Sequence, residues 1–284
     1  MKKKLGIFFG LTVLFSGVFY FLIARAGTMQ AQGGLYVFGL MSAPGISALM
    51  ALGLTDRTLR GVGWKWGKTH WQLLSIALPL GLIGIVYGLI WLTGLGGFPN
   101  PEFVQEITTE IDFPISQRGA ILIYALVTSA AGLAGTALPA LGEEIGWRGL
   151  LAPALYRLTG FTGAALISGL IWAVWHYPGM LLADYHGETP LWFGLLCFTG
   201  MAVGFSFVLT WFRLKTGSVW AAMFLHASHN VFVQTIFTPL TADTGPTEFF
   251  VGEFGVGLAA GYLTAAVLVW KLREQLPPPP GSFS

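Results

Sequence analysis

The chain has 284 residues, of which 54% are hydrophobic and only 10% are charged. Soluble domains average about 25% charged residues, so this composition excludes an ordinary soluble protein and indicates that a lipid bilayer is the solvent. The net charge of +2 is small, so the placement of the charges matters more than their sum. The single cysteine, Cys197, excludes an internal disulfide and a cysteine-rich metal site.

Eight apolar stretches follow one another along the chain, and each is close to the length of about 18 or more residues that a membrane-spanning helix needs. They lie at 5–26, 34–54, 72–94, 120–142, 161–182, 190–212, 216–237 and 250–270. The 39 glycines fit such helices, because small residues allow neighbouring helices to approach closely. The sequence therefore predicts an all-α fold, a polytopic membrane helical bundle of about eight transmembrane helices.

We expect one transmembrane domain over residues 1–275 and a disordered tail over residues 276–284. The basic start of the chain resembles the beginning of a signal peptide. The apolar run that follows is too long for one and lacks a clear cleavage site, so we expect a retained first helix. The basic, tryptophan-rich segment 56–71 predicts contact with the lipid interface, and it is too short to suggest a nucleic acid as partner.

The basic residues predict the orientation of the chain. With the three N-terminal lysines in the cytoplasm, eight crossings place 13 of the 15 Lys and Arg residues on the cytoplasmic side. Only Arg25 and Arg118 fall on the other side. Basic residues favour the cytoplasmic side of a membrane, so we expect both termini there. No organelle address is evident, which favours a multi-pass protein of the plasma membrane.

Three places combine an apolar segment with ionisable side chains, which are costly in a bilayer and usually paired or functional. In GEEIGWRG, Glu144 and Arg148 are four residues apart and can pair on one face of a helix. Glu143 has no such partner nearby in the sequence. A carboxylate without a counter-ion can act as a general base. An ordinary Glu–Arg pair at the end of a helix is the alternative interpretation.

The other two places carry histidines. His176 lies within IWAVWHYPG, and His226, His229 and Asn230 lie within FLHASHN. His226 and Asn230 are four residues apart and share a helical face. A core histidine bonded to a backbone carbonyl is the alternative for the first place, and interhelical hydrogen bonds are the alternative for the second.

In order and spacing, the three motifs resemble those of the CPBP family of intramembrane endopeptidases. That family includes the type II CAAX prenyl proteases and bacterial relatives linked to bacteriocin processing. Its pattern is EExxxR, then FxxxH, then HxxxN. This chain has EEIGWR, WAVWH and HASHN within residues 140–232, with Trp172 where the family usually has Phe. The resemblance implies a helical membrane protein that hydrolyses peptide bonds.

The resemblance also implies roles for individual residues. Glu143 and His176 would activate a water for attack on the peptide carbonyl, and His226 and Asn230 would stabilise the oxyanion. The residues expected to support these groups or to orient the substrate are Glu144, Arg148 and Trp172. We expect no metal cofactor. The alternative is a zinc site with Glu143, His176 and His226 as ligands.

The expected partners are the lipid bilayer and a membrane-associated peptide or protein substrate, prenylated or not. Three other functions compete with a water-activating peptidase. They are a zinc-dependent metalloprotease, a non-proteolytic membrane scaffold or bacteriocin-immunity protein, and an ion-coupled transporter. Against the transporter, the sequence shows no paired broken helices in two equivalent halves.

The depths of two site residues conflict if the helices are straight. Glu143 would lie at the cytoplasmic end of the fourth apolar stretch and His176 late in the fifth. At 1.5 Å per residue their depths would differ by about 20 Å. We therefore predict that the fourth helix bends, that it continues through 143–157 inside the membrane, or that the fifth helix has other bounds than 161–182. We also predict a water-filled cavity, open to the cytoplasm, that brings the three motifs together.

Overall fold

The computed structural model describes residues 1–111 and 114–278. This part of the chain is helical and contains no β-strand. The α-helices are α1 (Lys2–Ala26), α2 (Leu35–Thr55), α3 (Thr69–Leu92), α4 (Pro101–Glu110), α5 (Gln117–Glu144), α6 (Ala152–Leu182), α7 (Leu191–Thr216), α8 (Val219–Asn230) and α9 (Val256–Lys271). Two π-helical segments, Ile145–Leu151 and Val231–Phe237, extend α5 and α8.

Five helical stretches are long and apolar enough to cross a bilayer, and they include α1, α2, α3 and α7. The fifth is the continuous path Gln117–Leu182, which contains α5 and α6. The last two predicted stretches appear as α8 with its π-helical extension and as the shorter helix α9. The all-α membrane bundle is confirmed. The number of crossings and their direction stay predictions.

The outer faces of these helices are apolar, as a lipid environment requires. Large hydrophobic side chains such as Val13, Leu92, Leu126 and Leu196 are more than half exposed. In water such a surface would be unfavourable, whereas in a bilayer it is in contact with acyl chains. The short helix α4 differs, because it is capped by the Asn100 side chain and buries only one face in the connection between α3 and α5.

Glycines bring α2 and α5 into backbone contact. A Cβ added to Gly45 would lie 2.3 Å from the carbonyl oxygen of Gly142, and one added to Gly146 would lie 2.5 Å from Pro44 Cβ. Only the absence of a side chain permits this approach. The crossing places α2 directly beside the two glutamates of the first motif.

The helical path does not end at Glu144. It continues through the π-helical segment Ile145–Leu151 into α6 and breaks at Gly160. The φ of 69° and ψ of −173° at Gly160 lie in a region that essentially only glycine adopts. The expectation that this helix continues through 143–157 is confirmed. Glu143 consequently lies inside the bundle and not at its end.

The first residues of the predicted tail contact the bundle. Leu276 is buried, and the Tyr156 hydroxyl donates to the carbonyl of Pro277 at 2.6 Å. The remainder of the predicted disordered tail, residues 279–284, lies outside the described residues.

Candidate active site

A cavity of about 500 Å³ lies between α2, α5, α6, α7 and α8. Glu143, His176, His226 and Asn230 all line it, as does Trp172. These residues come from three separate motifs and are brought together by the packing of the helices. The other two predicted residues, Glu144 and Arg148, are fully buried next to this lining.

The carboxylate of Glu143 is held by two indole groups. Trp172 donates from Nε1 to Oε2 at 2.8 Å, and Trp147 donates to the same oxygen at 3.2 Å. No donor among the described residues reaches the other oxygen, Oε1. Trp172, which stands where the related family usually has Phe, thus supplies a hydrogen bond that phenylalanine could not. The arrangement fixes the carboxylate and leaves one oxygen for a molecule in the cavity.

Glu144 connects the first motif with the third. Its Oε1 accepts from Arg148 Nη1 at 3.1 Å and from His226 Nδ1 at 2.9 Å. The Arg148 guanidinium also lies 4.8 Å from the ring centroid of Trp172. The pair predicted from the four-residue spacing is therefore present, and a second bond holds the His226 ring. With Nδ1 engaged in this way, the ring presents Nε2 as its other polar atom.

His176 is oriented by the backbone of its own helix. Its Nδ1 lies 2.8 Å from the Trp172 carbonyl oxygen, so Nδ1 carries the proton and donates. In the neutral tautomer this leaves Nε2 as an acceptor. The ring centroid of His176 lies 5.5 Å from that of Trp172, and the ring centroid of His226 lies 5.3 Å from it on a different helix. His176 is therefore bonded to a backbone carbonyl, as one interpretation of the sequence expects, and it also lines the cavity, as the other expects.

Asn230 lies at the last position of α8, directly before the π-helical segment Val231–Phe237. It is half-buried and lines the cavity on the same helix as His226. The first motif has the same organisation, because Glu144 is followed by the other π-helical segment. Widened turns of this kind occur frequently at functional sites. Here one widened turn begins directly after Glu144 and the other directly after Asn230.

A second acid–histidine pair lies in the same cavity. His229 Nε2 lies 3.1 Å from Glu253 Oε1, and His229 Nδ1 lies 2.8 Å from the Tyr262 hydroxyl. The other oxygen of Glu253 accepts from Tyr185 at 2.9 Å and from Gln234 at 3.3 Å. Every polar atom of the His229–Glu253 pair is therefore bonded.

Sequence reasoning did not assign Glu253 to the site. The residue lies in the last apolar stretch, 250–270, and is the only acid in it. That isolation is the signal that could have identified it, since an unexplained acid in an apolar segment is usually functional or paired. The signal is weak, because Glu253 is near the start of the stretch, where an acid is expected to reach water.

The cavity does not open where the sequence placed its opening. The predicted orientation puts the connections after α1, α6 and α8 outside the cytoplasm, and residues of these three connections line the cavity. The predicted opening to the cytoplasm is therefore wrong for that orientation. The physical reason is tertiary packing, which arranges the connections after α1, α6 and α8, and not those at the other end of the bundle, around the cavity.

The described arrangement does not fit the zinc alternative. Within residues 1–111 and 114–278, no three His, Cys, Asp or Glu side chains are grouped closely enough to hold a metal ion. We therefore derive no step through a metal. The absence of a metal cofactor stays a prediction.

Comparisons with known proteins agree with the motifs. Residues 121–232 match a family model described as Type II CAAX prenyl endopeptidase Rce1-like. A relative named CAAX prenyl protease 2, from Methanococcus maripaludis, is 29% identical over 112 residues. That alignment covers 38% of this chain and 40% of the relative. The resemblance to the CPBP family is confirmed over the segment that carries all three motifs.

Proposed function

We propose that this chain, whose central segment is similar to Rce1-like proteins, is an intramembrane endopeptidase. It hydrolyses a peptide bond of a membrane-associated peptide or protein with an activated water. One observation carries the proposal: Glu143, His176, His226 and Asn230 line a single cavity within the matching segment. The relative's name, a prenyl protease, supports the class of reaction. A prenyl group on the substrate is one of the properties to be tested.

The free atoms of the site suit the first step. A water placed between Glu143 Oε1 and His176 Nε2 would have two acceptors to which no described residue donates. The base takes a proton from this water while the water oxygen forms a bond to the peptide carbonyl carbon. The carbonyl electron pair moves to its oxygen, which becomes an oxyanion.

The third motif supplies donors for that oxyanion. The amide of Asn230 donates, and in its imidazolium form His226 donates from Nε2 as well as from Nδ1. Donors fixed in advance, in a site with little water, stabilise the developing charge strongly. When the oxyanion collapses, the carbonyl double bond re-forms and the C–N bond breaks. The leaving nitrogen takes the proton that the base had removed, and the base is restored.

The supporting residues hold these groups in position. The two indole bonds keep Glu143 from rotating, and Glu144 fixes the ring of His226. Arg148 balances the charge of Glu144 inside the bundle. The cavity volume of about 500 Å³ lies in the range of about 300–1,000 Å³ typical of ligand sites, and its mostly apolar lining with a few polar groups is also typical.

The proposal is tested by cleavage of a quenched fluorescent peptide library, with prenylated and unprenylated members, by the purified protein in detergent. Glu143→Gln preserves the size of the side chain but removes the base. We expect it to lower the rate about 10²- to 10⁴-fold. Glu106→Gln, which changes an exposed acid on α4, is the matched control and should retain full activity.

Other outcomes would overturn the proposal. Equal activity of Glu143→Gln and the wild type would show that Glu143 is not the base. Loss of cleavage with a chelator, restored by zinc, would establish the metal-dependent alternative. Binding of peptides without cleavage of any of them would establish the non-proteolytic scaffold.

A further inference from the structure

The cavity reaches the surface at the end of the bundle where the connections after α1, α6 and α8 lie. Two of its lining residues there, Gln30 and Asp184, are exposed. Asp184 joins two of these connections, because its carboxylate accepts from the Met29 backbone N–H at 2.6 Å and from the Thr28 hydroxyl at 2.7 Å. We call this end the mouth, and its lining residues include Met29, Gln30, Asp184, Tyr185, Glu253 and Phe254.

The proposed base lies nearer to the mouth than to the opposite end. Gly142, directly before Glu143, contacts α2 between Met41 and Gly45: a Cβ added to Gly142 would lie 2.9 Å from the Met41 carbonyl oxygen, and one added to Gly45 would lie 2.3 Å from the Gly142 carbonyl oxygen. These two positions of α2 are six and ten residues from Leu35, at the mouth end, and 14 and ten residues from Thr55 at the other end. At 1.5 Å per residue, the separations are about 9–15 Å and about 15–21 Å.

The position of His176 agrees with this depth. It is six positions before Leu182, the last residue of α6 at the mouth end. The helical rise places it about 9 Å from that end. Both proposed catalytic groups of the first step are therefore reached from the mouth over a short distance.

The opposite end of the site is closed by packed backbone. Arg213 donates from Nη2 to the carbonyls of Gly61 and Val62 at 3.1 Å each, and from Nε to the Arg148 carbonyl at 3.0 Å. Val62 is fully buried, and an added Cβ on Gly149 would lie 3.0 Å from it. No described residue of the connection between α2 and α3 lines the cavity. A peptide could not reach Glu143 from this end without displacing these contacts.

Contacts between connections show which helix ends share the closed side. Lys4 pairs with Asp56, which joins the start of α1 to the end of α2. Trp220 donates to the Trp64 carbonyl at 2.8 Å, and Lys215 donates to the Gln275 carbonyl at 3.0 Å. The start of α1 and the ends of α2, α7 and α9 are therefore on one side.

Almost all of the basic residues that are not buried lie on that closed side. Arg25 and Arg118 are at the mouth side, and Arg148 and Arg213 are buried. The eleven others are Lys2, Lys3, Lys4, Arg57, Arg60, Lys65, Lys68, Arg157, Lys215, Lys271 and Arg273. In short connections next to membrane helices, such an excess of Lys and Arg marks the cytoplasmic side.

We infer that the active-site cavity opens on the non-cytoplasmic side of the membrane. The substrate is then a membrane-associated peptide or protein segment that is presented outside the cytoplasm. The assignment of a substrate rests on the proposed peptidase function, whereas the sidedness does not. The barrier formed by Arg213 and Val62 keeps cytoplasmic peptides from the water-activating groups.

Cysteine labelling tests the sidedness without requiring activity. The only native cysteine, Cys197, is buried and is replaced by serine to give a cysteine-free background. Gln30→Cys then reports on the mouth, and Lys65→Cys reports on the closed side, since both positions are exposed. His186→Cys, on the exposed connection after α6, provides a second reporter for the mouth. Intact and permeabilised bacterial cells are treated with a membrane-impermeant maleimide.

We expect the cysteines at 30 and 186 to be labelled equally in intact and permeabilised cells. Labelling of the cysteine at 65 should be at least about tenfold higher in permeabilised cells than in intact cells. Labelling of position 65 but not of 30 and 186 in intact cells would overturn the inference. Labelling of all three in intact cells would overturn it as well, because the chain would then insert in both directions.

Vesicles of defined orientation test the substrate side. A membrane-impermeant form of a peptide that the purified protein cleaves is added to right-side-out and inverted membrane vesicles. We expect cleavage in the right-side-out vesicles, and cleavage only in the inverted vesicles would overturn the inference. If labelling shows the expected sidedness but the purified protein cleaves no peptide, the proposed function fails while the topology stands.

Discussion

Arg148 carries a guanidinium group that is fully buried, and its removal should destabilise the fold strongly. In Arg148→Met, Glu144 loses its ion-pair partner and stays buried with only His226 bonded to it. Breaking a buried pair in this way costs about 3–5 kcal/mol. Arg148 Nε and Nη2 have no partner among the described residues, so the native pair is already partly uncompensated. We therefore expect the lower end of that range, about 3 kcal/mol.

The free energy of unfolding is measured by titration with sodium dodecyl sulfate in mixed micelles. Lys4→Met is the matched control, because it removes a cation from the pair with Asp56 at the surface, which should contribute at most about 1 kcal/mol. Adding Glu144→Gln to Arg148→Met should recover part of the loss, because no unpaired carboxylate is then left in the bundle. A cost for Arg148→Met no larger than that of the control would refute this reasoning.

Three further changes probe the site, the helix crossing and the mouth. Trp172→Phe keeps the ring but removes the donor to Glu143, so we expect cleavage to fall on the order of tenfold or more with the fold retained, and unchanged kinetics would contradict this role. Gly45→Ala places a methyl group 2.3 Å from a carbonyl of α5 and should lower the free energy of unfolding by about 1–3 kcal/mol, whereas Gly135→Ala, which faces open space, should be neutral or stabilising. Burial raises the pKa of Asp184, but hydrogen bonds from the connection between α1 and α2 outweigh this effect and hold the pKa below its ordinary value. These hydrogen bonds therefore contribute to the free energy of unfolding at neutral pH, and the contribution is lost as the pH falls through the lowered pKa of Asp184 in the folded state. Asp184→Asn should remove this acid-dependent loss in unfolding titrations between pH 7 and pH 3, and an unchanged pH dependence would count against it.

Features that depend on local geometry and on the solvent can be predicted from the amino-acid sequence. A bilayer offers no water to backbone groups, so long apolar stretches have to form helices, and their presence can be read from composition alone. The Glu144–Arg148 pair was predictable because residues four apart on a helix are neighbours whatever surrounds them. The same holds for the placement of His226 and Asn230 on one face of α8.

How the motifs meet, and from which end of the bundle they are reached, depends on helix packing that the sequence does not reveal. The bond from Trp172 to Glu143 spans 29 residues of sequence, and the bond from His229 to Glu253 spans 24. Neither has a local pattern, because each depends on which helices pack together. The predicted cytoplasmic opening does not fit the predicted orientation, because no spacing in the sequence reveals which connections line the cavity. The continuation of the helix past Glu144, the packing of Val62 against Gly149 and the hydrogen bonds of Arg213 close one end of the site and leave the other open.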